Sequence, residues 1–190
     1  MFLPIVAYGD PVLKQVGEDI DADYPKLQEL LENMYETMYT SHGVGLAAPQ
    51  IGLAIRLFIV DCSPFEEDEP ALKGFKKTFI NAEIIEEVGE GWYFNEGCLS
   101  IPDVREDVER KPQITIRYQD ENFVEHTETF EGMAARVIQH EYDHIEGILF
   151  TEYLSPLRKR IIQRKLNDIM NGKISTEYRM RFYKAKKKKR

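Results

Sequence analysis

The chain has 190 residues, a length typical of one domain, and its 43% apolar and 11% aromatic content excludes an intrinsically disordered chain. No apolar run approaches the roughly 20 residues that cross a bilayer, and the N-terminus lacks the pattern of a signal peptide. Two cysteines, Cys62 and Cys98, stand in unrelated contexts, which favours a reducing compartment over a disulfide framework. The composition therefore predicts a folded cytoplasmic protein.

The charge is unevenly distributed along the chain. The net charge is −8, but the last twelve residues, from Arg179, hold eight Lys or Arg and no acid, so the rest is far more acidic. An acidic body argues against DNA binding, whereas the basic end could contact RNA phosphates. We interpret Lys184 and residues 186–190 as a solvated, frayed end, with RNA contact as the alternative.

The first half of the chain predicts one helix and one strand. Residues 25–39 carry apolar side chains at helical spacing, and Gly43 follows as a stop signal. A Gly-rich loop over residues 43–52 comes next, and residues 53–61 form an apolar run typical of a buried strand. Residues 63–70 are acidic and contain proline, which predicts a surface loop.

The rest of the chain predicts four strands and two helices. The strand-like runs cover residues 75–86, 91–101, 113–119 and 123–130, with a hairpin turn at residues 120–122. A second helix is predicted over residues 132–146, and a third begins at Ser155-Pro156 and ends at Asn171-Gly172. Strands in the middle and helices at both ends predict an α+β fold, with antiparallel or mixed sheets around the second helix.

The strongest local signal is His140-Glu141-Tyr142-Asp143-His144 in the second predicted helix. Positions i and i+4 lie one turn apart on the same face, so both imidazoles can bind one metal ion. Met133 and Val137 share this face, which therefore points into the protein. Glu141 stands where such motifs place a general base. We interpret the segment as a metal site, against the alternative of a chance histidine pair on a surface helix.

The motif alone does not identify the enzyme, because many zinc proteases share it. One protease class continues it with a Gly and then a third His. Gly147 is present here, but Phe150 stands where that His would be, so this class is excluded. A downstream carboxylate as third ligand, in a metallopeptidase that cuts internal bonds, stays open. So does a noncatalytic metal- or RNA-binding module, although a structural site prefers four protein ligands.

Cys98 is the better candidate for the third ligand. Gly97 beside it permits a close backbone approach, and a thiolate is a strong ligand for iron or zinc. Three protein ligands leave one position open, as in catalytic sites. The alternative is a buried apolar thiol, which is our interpretation of Cys62. We interpret His42 and His126 as structural or solvent-facing.

Three segments together resemble one family. Residues 43–50 (GVGLAAPQ), 96–100 (EGCLS) and 139–144 (QHEYDH) are similar to the three signature motifs of peptide deformylases, in the family's order and near its spacing. The resemblance extends from the first residues to about Leu166. Pro49 departs from it, since relatives often have Thr or another small residue there, and the lysine-rich end beyond Arg179 has no counterpart.

The resemblance implies a catalytic domain over residues 1–172 and a basic tail over residues 173–190. It implies one divalent metal ion, ferrous iron in the first place with zinc or nickel as alternatives. The implied site residues are Cys98, His140 and His144 as metal ligands, Glu141 as acid and base, and Gln50 with the backbone N–H of Leu99 as donors to the formyl oxygen. The implied reaction removes the formyl group from the N-terminal methionine of new polypeptides and releases formate.

The resemblance also places the methionine side chain in an apolar pocket. By position, Val44, Leu99, Met133 and Val137 could line this pocket. Gly45 would let an extended peptide lie close to the backbone, like an added strand, and Arg105 matches a position that contacts the substrate backbone. The expected partners are N-formyl-methionyl nascent peptides and, through the basic tail, the ribosome, with neither DNA nor a membrane.

Overall fold

The computed structural model describes residues 1–183. The strands are β1 (Ile5–Val6), β2 (Gly45–Ala47), β3 (Leu57–Asp61), β4 (Lys76–Val88), β5 (Trp92–Cys98), β6 (Ile101–Arg110), β7 (Gln113–Gln119), β8 (Glu125–Glu131) and β9 (Met180–Arg181). The helices are α1 (Leu27–Thr40), α2 (Gly132–Ile145) and α3 (Pro156–Met170), with short 3-10 turns between elements. The prediction for Lys184 and residues 186–190 lies outside the described residues.

The strands form three sheets. The largest has the order β2-β3-β4-β7-β8 with antiparallel neighbours, β5 and β6 form an antiparallel hairpin, and β1 pairs with β9 in parallel. Helix α2 packs against the five-stranded sheet, with α1 and α3 before and after it in the chain. The predicted α+β fold with mixed sheets around a central helix is confirmed.

Helix α2 is buried on almost all sides, which fixes its position in the molecule. Its apolar residues Ala135 and Ile138 pack with Phe58, Phe79 and Ile116 of the five-stranded sheet in one hydrophobic cluster. Aromatic rings add to this cluster, since Phe58 and Phe79 stack with ring centroids 4.7 Å apart. A fully packed interior holds side chains in single rotamers. The polar residues of α2 are therefore held in fixed orientations by the core around them.

The structure contains two further apolar clusters. In one of them α3 packs against β6, and Ile162 and Leu166 belong to the same cluster as Val104 and Val108. In the other, the buried face of α1 packs with residues of β2 and β3; the members of this cluster include Leu31, Met34, Met38, Leu46 and Ile59. These clusters join the helices at both ends to the sheets that surround α2.

The structure differs from the predicted boundaries near the N-terminus. Helix α1 begins at Leu27 rather than at residue 25, because Lys26 before it adopts a left-handed conformation with φ of 56°. The predicted Gly-rich loop contains strand β2 and a 3-10 turn over Ala48–Ile51. The predicted strand over residues 53–61 is confined to β3, which starts at Leu57.

Strand β6 has no counterpart among the predicted elements. Its inward-facing residues from Val104 onward are Val104, Glu106, Val108 and Arg110, so two of the four are charged. Glu106 accepts hydrogen bonds from Arg158 at 2.7 and 2.8 Å, and Arg110 is bound to two buried carboxylates. These partners are distant in sequence, so the alternation of buried and exposed positions is not visible as an apolar pattern.

Beyond α3 the chain returns to the N-terminal strand. Ile5 N–H donates to the carbonyl of Arg179 and Ala7 N–H to that of Arg181, each at 2.9 Å. Met180 and Phe182 pack against the cluster around α3. Residues 179–182 are thus joined to the body of the protein by backbone pairing and apolar contact.

None of the helices described over residues 1–183 combines the length and the apolar character needed to span a bilayer.

Candidate metal centre and cleft

The structure brings the three predicted metal ligands together. One ligand atom each of Cys98, His140 and His144 lies within 4.8 Å of the others. The Cys98 Sγ and His144 Nε2 atoms are 3.4 Å apart, and the two imidazole rings have centroids 5.2 Å apart. Helix α2 supplies both rings at i and i+4, and the end of β5 supplies the sulfur. The arrangement could hold a metal ion between one thiolate and two imidazoles.

The two imidazoles differ in their surroundings. His140 Nδ1 is 2.8 Å from a Glu96 carboxylate oxygen, which leaves its Nε2 to face the sulfur. Burial lowers the pKa of His144 well below its ordinary value and so favours the neutral ring that binds metals. Hydrogen bonds with Cys98 and Glu96 hold the pKa of His140 well above its ordinary value, although burial opposes its charge. The donor set fits a divalent ion of borderline softness such as iron or zinc.

A buried ionic network stands behind His140. Glu96 accepts hydrogen bonds from Arg110 at 2.8 and 3.0 Å and from Arg136 at 2.8 Å. Burial alone would raise the pKa of Glu96, but the bonds from His140 and Arg110 hold it well below its usual range. Glu96 is therefore an anion, and it orients His140 through a carboxylate–histidine contact.

The network extends along α2 to Asp143, about one helical turn after His140. Arg110 donates to Asp143 at 2.8 Å, and the Tyr153 hydroxyl donates to the same carboxylate at 2.9 Å. Arg136 lies over the ring of Trp92, with its guanidinium carbon 4.3 Å from the centroid. The two arginines and two acids are all buried, so each charge depends on its partners.

Glu141, the residue after His140, lines the cleft but is almost completely enclosed by protein. Only 5% of the residue is exposed, and its Oε2 has no hydrogen-bond partner within residues 1–183. Burial raises the pKa of this carboxyl to about 7. A carboxyl that titrates near neutral pH can both take up and release a proton at the working pH of a cell.

Gly45 in β2 makes room for Glu141. A methyl group at Gly45 would lie 2.7 Å from both Cγ and Cδ of Glu141, which is closer than such atoms approach. Sequence alone assigned this glycine to backbone contact with a peptide. The structure adds a second reason, since any side chain here would displace the Glu141 carboxylate.

The side-chain amide nitrogen of Gln50 points toward the metal group, near Cys98. Its Oε1 accepts from the Ala47 N–H at 2.9 Å, which fixes the orientation of the amide group. Its Nε2 then lies 3.4 Å from Cys98 Sγ and 3.4 Å from Ser100 Oγ. Gln50 is buried, so this donor is held in place without solvent competition.

A cleft of about 750 Å³ opens in front of these groups. It is lined by the predicted residues Val44, Gly45, Gln50, Cys98, Leu99, Arg105, Met133, Val137, His140 and Glu141. His144 is not among its lining residues and is 1% exposed, so it reaches the sulfur from the interior. The sequence-predicted site is thus assembled around one cleft, with one ligand behind its wall.

The other cysteine, the other two histidines and Arg105 lie outside the metal group. Cys62 is fully buried in the main apolar cluster, as predicted. His126 is half-buried and lies 2.7 Å from Asp120, away from the cleft. His42 is exposed, as expected, but it lies at the rim of the cleft. Arg105 is exposed and donates to the side chain of Asn95 at 2.9 Å and to its carbonyl at 2.5 Å.

Several site residues had no predicted role. Phe65 and Phe94 add aromatic surface to the cleft, and residues 175–178 form part of its wall. Arg110 and Arg136 support Glu96, yet both look like ordinary surface arginines in the sequence. The one available signal was Arg136, which lies one helical turn before His140 on the same face of α2.

Comparison with known proteins agrees with this geometry. The family model for polypeptide deformylase matches residues 2–160. The peptide deformylases of Flavobacterium johnsoniae and Christiangramia forsetii are 64% and 62% identical to this chain, each alignment covering 98% of this chain and 99% of the relative. The crystal structure of a peptide deformylase from Legionella pneumophila aligns with a TM-score of 0.79 at 33% identity, covering 91% of this chain and 98% of that one. The chain belongs to the polypeptide deformylase family.

Proposed function

We propose that this protein is a metal-dependent hydrolase that removes the formyl group from the N-terminal formyl-methionine of newly made polypeptides and releases formate. The observation that carries the proposal is the convergence of Cys98, His140 and His144 beside the buried Glu141 carboxyl, at the wall of a cleft large enough for a peptide end. Membership of the polypeptide deformylase family indicates the reaction, and the cleft is where we propose that the substrate binds.

We propose Cys98, His140 and His144 as ligands of one divalent ion, with ferrous iron as the physiological metal and zinc or nickel as alternatives. When bound, the ion supplies Lewis acidity, which polarises a carbonyl and lowers the pKa of water. A thiolate and two neutral imidazoles suit iron and zinc alike, so availability in the cell decides between them. Glu96 supports the site by holding the His140 ring in one orientation.

Glu141 is proposed as the residue that moves the proton. Its carboxyl is buried, has no partner for Oε2 in the described part of the chain, and has a pKa near neutrality. It can take a proton from water during attack on the formyl carbon. It can then deliver this proton to the leaving amine, which must be protonated to depart.

Gln50 and the backbone N–H of Leu99 are proposed as donors to the formyl oxygen. The orientation of the Gln50 amide, with Nε2 toward Cys98, supports the first assignment. Leu99 follows Cys98 directly and lines the cleft, which supports the second. Fixed donors stabilise the negative charge that develops on this oxygen, and the loss of one such donor typically costs roughly 3–4 kcal/mol.

The apolar part of the cleft is proposed to hold the methionine side chain. Val44, Met133 and Val137 line it and back onto the main apolar cluster, and Leu99 lies opposite with its side chain against Gly43. β2 is an edge strand of its sheet, so an extended peptide can pair with the backbone around Gly45. We propose that Arg105 at the outer wall contacts the peptide backbone.

We also propose cytoplasmic localisation and a catalytic domain over residues 1–172, followed by a basic segment over residues 173–190. Residues 175–178 of this segment line the cleft, and we propose an accessory role for its basic end. Its lysines and arginines would hold the enzyme near ribosomal RNA, where nascent chains emerge. Removal of residues 184–190 leaves β9 intact, so it separates RNA attraction from folding. Equal activity of both forms on ribosome-bound chains would contradict the ribosomal role.

The function is tested by anaerobic purification, metal analysis and assay of formate release from a formyl-methionyl tripeptide. We expect formate and a free N-terminus as the products, with no cleavage of internal bonds. A metallopeptidase would instead yield internal fragments from the unformylated tripeptide. That result, or metal-loaded protein that releases no formate, would contradict the proposal.

The Gly45→Ala variant is expected to release formate about ten- to a hundredfold more slowly, because the new methyl group displaces the Glu141 carboxylate by a fraction of its own diameter. Metal content should not change, since the three atoms nearest to the added methyl group all belong to Glu141. Gly91→Ala is the matched control, because its methyl group would also meet a glutamate carboxylate, that of Glu109, but this side chain is exposed and free to move. Similar rates for the two variants would show that the Glu141 position is not constrained by Gly45.

A further inference from the structure

The turn that joins β5 to β6 is held from outside by both ends of the chain. The carbonyl of Leu99 accepts a hydrogen bond from the Tyr178 hydroxyl at 2.8 Å. The next carbonyl, that of Ser100, accepts from the backbone N–H of Tyr8, also at 2.8 Å. The two successive peptide groups directly after Leu99 are therefore fixed by residues that lie far away in sequence.

The two segments that hold this turn are themselves joined. β1 precedes Tyr8 and pairs in parallel with β9, which follows Tyr178. Within the C-terminal segment, the Thr176 hydroxyl donates to the carbonyl of Tyr178 at 2.7 Å. Tyr178 is half-buried and lines the cleft together with Thr176 and Leu99. The segment that carries the Tyr178 hydroxyl is thus held in place when it donates to Leu99.

We infer that Tyr178 is a positioning residue for the Leu99 backbone amide, which holds this donor in the orientation needed for the formyl oxygen. The inference rests on the proposed function, in which Leu99 N–H is such a donor. A peptide group is planar, so a bond to the Leu99 carbonyl restricts the rotation of the chain on one side of this residue. β5 restricts it on the other side, since its last residue, Cys98, is paired with Ile101.

Through Tyr178, the C-terminal segment has a role in the reaction. The three sequence motifs do not indicate this role, because the segment lies far from them in sequence. Donors contribute to catalysis when they are preorganised and need no reorientation during the reaction. Without the Tyr178 hydroxyl, the Leu99 carbonyl would turn toward solvent in the cleft for part of the time. The Leu99 N–H would then be correctly oriented toward the formyl oxygen in a smaller fraction of the enzyme–substrate complexes.

The test compares Tyr178→Phe with Tyr183→Phe, an exposed tyrosine of the same segment. Tyr178→Phe keeps the ring that lines the cleft and removes only the hydroxyl. We expect kcat for formate release to fall about three- to tenfold, as for loss of one hydrogen bond, with KM unchanged. Tyr183→Phe should match the unmodified protein. Unchanged kcat in Tyr178→Phe, or a rise in KM that accounts for the whole effect, would overturn the inference.

Amide hydrogen exchange provides a readout that does not depend on activity. A peptic fragment spanning Cys98 to Ile101 should exchange faster in Tyr178→Phe than in Tyr183→Phe, in metal-free as well as metal-loaded protein. Identical exchange in the two variants would contradict the positioning role. If the unmodified protein released no formate, the proposed function would fail, but the exchange comparison would still report on the Leu99 turn.

Discussion

The Cys98→Ser variant is expected to lose most of its bound metal and, with the metal, its release of formate. A serine hydroxyl remains protonated at neutral pH and is a harder, weaker ligand than a thiolate for iron or zinc. The two imidazoles that remain, His140 and His144, leave the ion with only two protein ligands. We expect the loss of affinity to exceed the roughly 10–100-fold cost of removing an outer partner of a metal ligand.

Elemental analysis of protein purified without oxygen measures this effect directly. Cys62→Ala is the control, because it removes the other thiol from a fully buried position outside the cleft. This variant should keep its metal even if its stability is lower. Full metal content and normal turnover in Cys98→Ser would show that Cys98 is not a metal ligand. The alternative of a metallopeptidase with a different third ligand would then be favoured.

The Glu141→Gln variant is expected to bind metal normally and to release formate roughly a hundred- to ten-thousandfold more slowly, the range typical of a lost general base. Glutamine has the same shape but cannot carry the proton from water to the leaving amine. Because Glu141 is buried with one oxygen unpartnered in the described residues, a neutral amide should not lower the melting temperature.

Three measurements are therefore needed for the Glu141→Gln variant: metal content, thermal unfolding and kcat. Glu131→Gln, an exposed position just before α2, is the matched control and should be unaffected in all three. If Glu141→Gln lost metal and activity in parallel, its carboxylate would be a ligand or a support for one, and the proton-transfer role would be wrong.

The central part of the site could be predicted from sequence because its signals are local. The spacing of His140 and His144 on one helical face follows from 3.6 residues per turn, and α2 lies within one residue of the predicted bounds. The N-cap of α3 is also a local signal, and the Ser155 hydroxyl accepts from the Arg158 N–H as predicted. The convergence of Cys98 with the paired histidines is found in the structure, whereas the catalytic roles remain predictions.

The features that sequence reasoning missed depend on contacts between distant segments. Strand β6 was missed because Glu106 and Arg110 are charged residues at inward-facing positions, buried only because α2, α3 and β5 supply opposite charges. The role of Tyr178 depends on the return of the chain to β1, which pairs over only two residues. No periodic pattern can be read from two residues.

The buried charges around Glu96 constrain how this protein can change over evolutionary time. Replacement of Glu96 alone would leave Arg136 without a carboxylate partner in the interior and Arg110 with Asp143 alone, at a cost of about 3–5 kcal/mol. Such a change is tolerable only together with substitutions at the two arginines, even though the three positions lie on three different elements. In descendants of this sequence the three residues should therefore be kept or replaced together. Their rate of substitution should differ from that of the exposed residues beside them.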